Sequence, residues 1–322
     1  MALLQNLLVF IIFCLVLVFA GSLLVRAVSR MASFLRLSEF VTAFILMAFS
    51  TSLPELFVGI ASALAAKPAL SLGNVIGSNI ADIAFVGGII SLIGRKIALK
   101  GAEGAQIKKQ AFWMVLISAL PVVLMFIDGE LSRFDGFILV AVFLFYLSTL
   151  VKQRPKMHGR IENSFPKWEV VLSPLVFIFG LFLLFYSAEY VVRYGSALAL
   201  DLRIPTILVG LFFIAIGTSF PELIFETTAV LKHHPEMALG DLLGSVVMNS
   251  TAVLGVTALI YPIIGNLVLF LASAVFMMAV AIVFTAFIHS ARKLDLHLGI
   301  ALLMLYVLFV IVELILKGVI AS

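Results

Sequence analysis

Hydrophobic residues fill most of the chain in long runs that are separated by short polar stretches. A helix needs about 20 apolar residues to cross the hydrocarbon core of a bilayer, so each run predicts a spanning helix. In chain order the ten predicted spans are Leu3–Val28, Phe40–Ala66, Leu70–Ile93, Phe112–Ile127, Gly136–Val151, Val170–Leu200, Thr206–Leu231, Met237–Ile264, Leu267–Ser290 and Leu296–Ile320. One extended polar stretch, Lys152–Lys167, divides them into two groups of five. The pattern predicts an all-α integral membrane protein.

The two groups of spans are related in sequence. When the chain is shifted by 167 residues, TSLPEL at Thr51–Leu56 falls on TSFPEL at Thr218–Leu223, and Ala48–Gly88 shows 14 identities in 41 positions. Because each group has an odd number of spans, the second must cross the membrane in the opposite direction to the first. We therefore predict two inverted five-helix repeats, residues 1–160 and 161–322.

Composition and charge narrow the class of protein. Hydrophobic residues make up 63% of the chain, mean hydropathy is +1.24 and charged residues account for 12%, which excludes a soluble enzyme, a disordered protein and a nucleic-acid partner. Sixteen of the 21 Lys and Arg residues follow odd-numbered spans. By the positive-inside rule, we expect a multi-pass protein of the cell (plasma) membrane with both termini extracellular.

Most of the 17 Asp and Glu residues lie outside the predicted spans, but three carboxylates within spans stand out by their positions in the repeat. Glu55 and Glu222 lie near the middles of spans 2 and 7, and Asp82 lies in span 3 at the position that Asn249 occupies in span 8. An ionisable group at this depth costs several kcal/mol unless it faces a partner, an ion or water. Their duplication predicts a functional site where the repeats meet.

Oxygen atoms surround each glutamate in the sequence. Pro54 and Pro221 precede the glutamates, and the residues before them, Leu53 and Phe220, are expected to leave helical geometry. The hydroxyls beside the two breaks are those of Thr51, Ser52, Thr218 and Ser219. An all-oxygen cluster without Cys or His suits Ca²⁺ and Na⁺.

Spans 3 and 8 supply further polar side chains. Residues four apart share a helix face, and this spacing relates Ser78 to Asp82 and Ser245 to Asn249. Asn74 and Asp241 extend the two faces by another turn, and Gly73-x-x-x-Gly77 predicts a close-packing surface. A site with charge −3 is too costly to move empty through a low dielectric, which predicts antiport. Ca²⁺, several Na⁺ ions or protons would each supply the compensating charge.

The two motifs, AFSTSLPEL…GNVIGSNIADI and AIGTSFPEL…GDLLGSVVMNS, resemble those of the cation/calcium antiporter superfamily, in particular the microbial and archaeal sodium/calcium exchangers. The resemblance implies ten helices in two inverted repeats, with ions bound between spans 2, 3, 7 and 8 at broken helices. It also implies that spans 1 and 6 slide across the other eight. By resemblance, the ion ligands are the Glu55 and Glu222 carboxylates, the hydroxyls of Thr51, Ser52, Ser78, Thr218, Ser219 and Ser245, and the main-chain carbonyls of Ala48 and Ala215.

The sequence departs from that family pattern in three places. Ser50 replaces a glycine, and Asp82 and Asn249 are exchanged between the repeats relative to the archaeal exchangers. Asp241 replaces an asparagine, and two interpretations stay open: this residue lines a cytoplasmic vestibule, or it alters the ion selectivity of the site. Glu226, one turn beyond Glu222, either lines an access path or faces a neighbouring helix.

The resulting hypothesis is a secondary active antiporter that exchanges Ca²⁺ for Na⁺ by alternating access and normally extrudes Ca²⁺. Ca²⁺/H⁺ exchange and K⁺-dependent Na⁺/Ca²⁺ exchange by the same fold are the near alternatives. A passive cation channel is the alternative from another class, but it predicts a symmetric oligomeric pore with a single filter. No HExxH or GxGD motif indicates an enzyme. We expect no cofactor beyond the transported ions, and a monomer sufficient for transport within the lipid bilayer.

Overall fold

The structure is a computed structural model that describes residues 2–34, 48–94, 97–98, 101–152, 166–232, 234–264, 267–291 and 293–321, and almost all of them are helical. We keep the predicted span numbers for the observed helices. The uninterrupted ones are Ala2–Phe34 (span 1), Gly101–Asp128 (span 4), Arg133–Lys152 (span 5), Lys167–Asp201 (span 6), Leu267–Ala291 (span 9) and Leu296–Ala321 (span 10).

The four helices that carry the candidate ligands are segmented. Their segments are Ala48–Thr51 and Leu53–Leu64 (span 2), Pro68–Ile80, Ala81–Val86 and Gly87–Ile93 (span 3), Thr206–Leu208, Val209–Ile214, Ala215–Thr218 and Phe220–Leu231 (span 7), and Pro235–Met248, Asn249–Val253 and Leu254–Ile260 (span 8). The segments Ala81–Val86, Val209–Ile214 and Asn249–Val253 are π-helical.

Nine helices among the described residues are long and apolar enough to cross a membrane. They correspond to every predicted span except span 2, whose described part is too short by itself because residues 35–47 lie outside the described residues. The all-helical membrane fold is confirmed, while the count of ten stays a prediction.

Contacts between the helices follow the inverted repeat. Span 5 packs on span 8, and span 10 packs on span 3, which is the same contact after the 167-residue shift. At both crossings a glycine of one helix packs against a glycine of the other. A Cβ added at Gly299 would lie 2.9 Å from the Gly88 carbonyl oxygen, and a Cβ added at Gly136 would lie 2.7 Å from the Gly255 carbonyl oxygen.

Four short strands repeat this symmetry at the ends of the helices. Ile97–Ala98 (β1) pairs antiparallel with Lys293–Leu294 (β4), and Glu130–Leu131 (β2) pairs with Ile263–Ile264 (β3). β1 and β4 follow odd-numbered spans, whereas β2 and β3 follow even-numbered ones. Each sheet therefore joins connections at one end of the helix bundle.

Spans 3 and 8 lie at the centre, while spans 1 and 6 pack together at the periphery. The most apolar stretches of spans 3 and 8 are 78% and 83% buried, against 28% and 22% for spans 1 and 6. The apolar contacts of spans 1 and 6 form a separate cluster that reaches the other helices mainly through span 2 and the start of span 7. The pair is thus attached to the remaining helices by its own layer of contacts.

The close approach predicted for the glycines of span 3 is confirmed. A Cβ added at Gly73 would lie 2.1 Å from the Ile207 carbonyl oxygen, and one at Gly77 would lie 2.2 Å from that of Leu211. Real Cβ atoms do not approach a carbonyl so closely, so a larger residue would force spans 3 and 7 apart. The glycines bring the polar face of span 3 against the break in span 7.

Candidate ion-binding site

Spans 2 and 7 are broken at equivalent residues. The first helix of each pair ends at Thr51 or Thr218, and the connecting residues Ser52 and Ser219 have nearly equal backbone angles, φ −83° and ψ 5° against φ −81° and ψ 3°. The expectation that Leu53 and Phe220 are the distorted residues was wrong by one position. Proline is tolerated in the first turn of a helix, where its missing N–H has no partner to lose, so the new helix starts one residue before it.

The main-chain carbonyls of Ala48 and Ala215 lie at these breaks. Ala48 O accepts a hydrogen bond from Ser52 N at 3.2 Å, and Ala215 O accepts one from Ser219 N at 3.0 Å. The hydroxyls of Thr51 and Thr218 lie 3.4 Å and 3.3 Å from the same carbonyl oxygens. Because a carbonyl oxygen has two lone pairs, each retains one acceptor site when its threonine donates elsewhere.

Hydroxyl pairs connect each break to a helix of the other repeat. Thr51 Oγ1 lies 3.2 Å from Ser245 Oγ, and Thr218 Oγ1 lies 3.1 Å from Ser78 Oγ. Ser78 Oγ is also 3.3 Å from Glu55 Oε1 and donates to it. The structure therefore joins five of the predicted side-chain ligands in two groups, Thr51 with Ser245, and Thr218 with Ser78 and Glu55, and each group spans both repeats.

Asp241 and Asn74 are equivalent positions of the two repeats, and each contacts the threonine at the helix break of the other repeat. Thr51 donates to Asp241 Oδ1 at 3.3 Å, and Thr218 donates to Asn74 Oδ1 at 3.1 Å. The sequence left the place of Asp241 open. The structure places it at the edge of the hydroxyl cluster, bonded to a predicted ligand.

Several of the site's polar atoms are fully buried without a hydrogen-bond partner. The carboxylates of Glu55, Asp82 and Glu222 are all 0% exposed. The unpartnered atoms of the predicted site are Glu55 Oε2, both carboxylate oxygens of Asp82 and Glu222, both side-chain polar atoms of Asn249, and the hydroxyls of Ser52 and Ser219. Unpaired carboxylates in an apolar interior carry a penalty of several kcal/mol, so this arrangement is suited to cations.

A cation bound at this site would need ligands from several chemical groups, because carboxylates alone do not suffice. Within the part of the chain that the structure describes, no three Asp, Glu, His or Cys side chains form a group that could hold a metal ion by themselves. No Lys or Arg side chain is buried among those residues either. Ions at this site would therefore be bound by one or two carboxylates together with hydroxyl, carbonyl and amide oxygens, as Ca²⁺ and Na⁺ accept.

Sequence reasoning did not predict the π-helical segments. Asp82 lies in the first turn of Ala81–Val86, and Asn249 begins Asn249–Val253, so both repeats widen the helix at the equivalent position. Such π segments occur frequently at functional sites. The bond from Asn79 to Ser250, at 2.9 Å, was also not predicted, although Asn79 directly follows Ser78 in the motif.

Comparisons with known proteins agree with the architecture and with the predicted superfamily. The sequence matches the family described as sodium/calcium exchanger protein over residues 5–152 and 172–315. It is 27% identical to the sodium/calcium exchanger MaX1 of Methanosarcina acetivorans, with 95% of this chain and 98% of that protein covered. It is also 29% identical to the putative antiporter CaxA of Alkalimonas amylolytica, with 76% and 78% covered.

A solved structure is similar over almost the whole chain. The sodium-calcium exchanger NCX_Mj matches with a TM-score of 0.68 and 26% identity, covering 96% of this chain and 98% of that one. These relatives are transporters, so the prediction that the protein is not an enzyme is confirmed. The matches also confirm a cation/calcium antiporter. The chain belongs to the sodium/calcium exchanger family.

Proposed function

We propose that the protein exchanges Ca²⁺ for Na⁺ across the membrane by alternating access and uses the Na⁺ gradient to extrude Ca²⁺. One observation carries the proposal: each repeat places a fully buried glutamate at a helix break, beside a threonine–serine hydroxyl pair that joins it to the opposite repeat. Each repeat thus contributes an equivalent set of hard oxygen ligands to the site, and such ligands suit both Ca²⁺ and Na⁺.

In this mechanism the Glu55 and Glu222 carboxylates are the central ligands. The surrounding ligands are the hydroxyls of Thr51, Ser52, Ser78, Thr218, Ser219 and Ser245, the carbonyls of Ala48 and Ala215, and the side chains of Asp82 and Asn249. Carboxylates suit Ca²⁺, while neutral hydroxyl and carbonyl oxygens add sites that a monovalent ion accepts. The names of MaX1 and NCX_Mj, both sodium/calcium exchangers, support sodium as the counter-ion.

Spans 1 and 6 are the proposed moving pair. Gly21 of span 1 lies against both breaks: a Cβ added there would be 2.9 Å from Pro221 Cγ and 3.1 Å from Pro54 Cγ. A helix that meets both prolines at a glycine has no side chain to interlock with them, which supports sliding. Since the empty site carries uncompensated acids, only the ion-loaded forms are expected to reorient.

Ca²⁺/H⁺ exchange is the second candidate, and a specific observation favours it. Besides Glu55, Asp82 and Glu222, the interior holds Glu226 and Asp241, and all five acids are 0% exposed. Protons would compensate such a cluster without any further ligand. K⁺-dependent Na⁺/Ca²⁺ exchange would use the same oxygen ligands. A passive cation channel is not supported by a site that two inverted repeats enclose.

Radiolabelled Ca²⁺ uptake into proteoliposomes tests the coupling ion. The same preparation is loaded with Na⁺, with K⁺ or with an acidic buffer, and diluted into medium that lacks the loaded ion. Exchange for Na⁺ predicts uptake only in Na⁺-loaded vesicles, abolished when Na⁺ is equal on both sides. Uptake driven by the pH gradient alone would establish the proton alternative, and uptake without any gradient would indicate a channel.

The proposed location is the cell membrane, with both termini outside. The distribution of basic residues supports this orientation, and large apolar side chains such as Phe182 and Val275, 67% and 65% exposed, suit contact with lipid. Every proposed ligand comes from one chain, so a monomer is sufficient for transport. Accessibility of a cysteine added at either terminus to an impermeant reagent, on intact cells, tests the orientation.

A further inference from the structure

The sheet of β1 and β4 joins two connections that are rich in basic residues. Residues 94–109, which lead from span 3 into span 4, hold five Lys and Arg residues and one acid, and residues 289–297, between spans 9 and 10, hold two Lys and Arg residues and one acid. The sheet of β2 and β3 joins the equivalent connections at the other end of the bundle. There, residues 126–141 and 258–266 together hold one Arg and three acids. Two sheets that are related by the repeat thus carry opposite net charge.

Lys108 and Lys109 extend this positive charge along span 4. Lys108 Nζ donates a hydrogen bond at 3.3 Å to the carbonyl oxygen of His289, in the last turn of span 9. An ammonium group has three N–H donors, so this bond leaves Lys108 able to contact an anion as well. The side chain of Lys109 is exposed. The two lysines therefore place cationic groups beside the contact between spans 4 and 9.

An exposed apolar stripe continues from Lys109 along the same face of span 4. Phe112, Trp113 and Leu116 follow Lys109 at spacings of three, four and seven residues, which places all four side chains on one side of the helix. Each of the three apolar side chains is 40% exposed or more. The order along the helix is a cation, two aromatic rings and an aliphatic side chain. This order matches the headgroup, the interface and the acyl chains of a phospholipid.

The arrangement goes beyond what the orientation of the chain requires. The positive-inside rule concerns the number of basic residues in the connections and not their arrangement in space. Here a sheet brings two basic connections together, and Lys109 lies in the third turn of span 4, directly before the exposed aromatic residues. A basic cluster between helices at the cytoplasmic surface is the arrangement that binds anionic lipid headgroups. The concentrated positive charge would select a phosphate group that lacks a compensating cation.

We propose that a surface formed by Lys108, Lys109, Phe112, Trp113 and Leu116 binds an anionic phospholipid of the surrounding bilayer. The lipid phosphate lies at the two ammonium groups beside the end of span 9, and the acyl chains lie along the exposed face of span 4. A lipid held there contacts spans 4 and 9, which are not part of the proposed moving pair. Its position in the cytoplasmic leaflet rests on the proposed orientation of the chain.

Fluorescence quenching by brominated lipids tests the proposal, because the chain has two Trp residues and one of them belongs to this surface. Trp168→Phe leaves Trp113 as the single reporter. The full chain with this substitution is reconstituted in phosphatidylcholine vesicles that contain a fixed minor fraction of dibrominated phosphatidylglycerol or of dibrominated phosphatidylcholine. We expect phosphatidylglycerol to bind beside Trp113 about fivefold more strongly than phosphatidylcholine, since one Lys near an anionic headgroup contributes about that factor.

Variants of Lys109 in the same background show whether the preference depends on this surface. Lys109→Gln preserves the bond from Lys108 to span 9 and should lower the preference to about twofold or less, whereas Lys109→Arg should retain it. The control is Lys232→Gln, which removes an exposed lysine on the same predicted side and should leave the preference unchanged. Elution as a single monodisperse peak confirms that each variant folds.

Two results would overturn the lipid site. One is equal quenching of Trp113 by the two brominated lipids, which would indicate ordinary contact with the bilayer. The other is an equal loss of preference in Lys109→Gln and Lys232→Gln, which would indicate a general effect of protein charge. The measurement needs no transported ion, and the vesicles carry the brominated lipid in both leaflets. Failure of the proposed exchange or of the proposed orientation would therefore leave these results unchanged.

Discussion

The two sides of the ion site have nearly the same geometry but different charges. Thr51 meets Ser245 at 3.2 Å and Asp241 at 3.3 Å, while Thr218 meets Ser78 and Asn74, each at 3.1 Å. The contacts of the two threonines are equivalent, yet an acid contacts Thr51 where an amide contacts Thr218. One further difference is that Ser78 donates to Glu55, whereas neither carboxylate oxygen of Glu222 has a partner. The duplicated backbone therefore determines where the ligands lie, and individual side chains determine which side is negative.

This asymmetry has a direction in the proposed orientation. The end of span 7 and the start of span 8 face the predicted cytoplasm, from which an exporter must collect a scarce ion. A concentration of negative charge on that side raises the local concentration of cations and their rate of entry. Each of the following predictions tests one feature that the two sides share or one feature that distinguishes them.

The largest effect is expected where the two sides are identical. Glu55→Gln and Glu222→Gln each remove a central ligand charge, and losing one partner of a buried charged interaction costs about 3–5 kcal/mol, or roughly 100-fold or more in transport. Initial rates of radiolabelled Ca²⁺ uptake in proteoliposomes measure this. Glu189→Gln is the control and should transport normally. Full activity in either variant would remove that glutamate from the site.

The next effect concerns the shared contact with span 1. Gly21→Val inserts a branched side chain where a Cβ alone would lie 2.9 Å from Pro221 Cγ and 3.1 Å from Pro54 Cγ, and overpacking of this kind costs about 1–3 kcal/mol. We expect uptake to fall by at least about tenfold while Ca²⁺ binding in detergent persists. Leu15→Val, at an exposed position of the same helix, is the matched control. Unchanged uptake would contradict a sliding contact at Gly21.

A charge exchange tests the difference between the sides. Asp82→Asn alone removes one site acid and is expected to reduce uptake about tenfold. The double variant Asp82→Asn/Asn249→Asp restores the charge on the opposite side, so most of the rate should return, with apparent Ca²⁺ affinity increased from the side of Asn249. Uptake and efflux measured in oriented vesicles separate the two sides. A double variant as inactive as the single one would contradict equivalence of the two positions.

The smallest effect is expected from making the two threonine contacts alike. Asp241→Asn gives Thr51 the same partner that Thr218 has in Asn74, preserving an acceptor while removing one charge. We expect apparent Ca²⁺ affinity to weaken about three- to tenfold from the Asp241 side only. The reciprocal Asn74→Asp should strengthen it from the other side. Equal changes from both sides would contradict the sidedness.

Much of the site could be predicted because the duplication makes chance unlikely for any residue that recurs at the same offset. Glu55, Glu222 and the adjacent hydroxyl residues Thr51-Ser52 and Thr218-Ser219 were identified in this way, and the structure places them at equivalent helix breaks. The offset also related Asp241 to Asn74. Their shared contact to a threonine was not predicted, because it depends on how closely span 8 approaches span 2 and span 3 approaches span 7.

Other features could not be predicted from a single sequence. The π segments at Ala81–Val86 and Asn249–Val253 depend on tertiary packing and have no composition that marks them. The one-residue error at Leu53 and Phe220 arose because a proline shows only approximately where a helix breaks. Proline is accepted within the first turn of the new helix, so that helix begins one residue before it and the distorted residue lies one position earlier. Burial of Glu226 also required the structure, since its helix has neighbours on more than one face.

Simultaneous measurement of both ions tests the central claim most directly. Proteoliposomes loaded with radiolabelled Na⁺ are diluted into Na⁺-free medium with or without radiolabelled Ca²⁺, and the efflux of one ion is compared with the uptake of the other. The account predicts that Na⁺ leaves only when Ca²⁺ is present outside, in a fixed ratio to Ca²⁺ entry, and that Glu222→Gln abolishes both fluxes. Na⁺ efflux independent of Ca²⁺, or Ca²⁺ uptake without Na⁺ efflux, would contradict it.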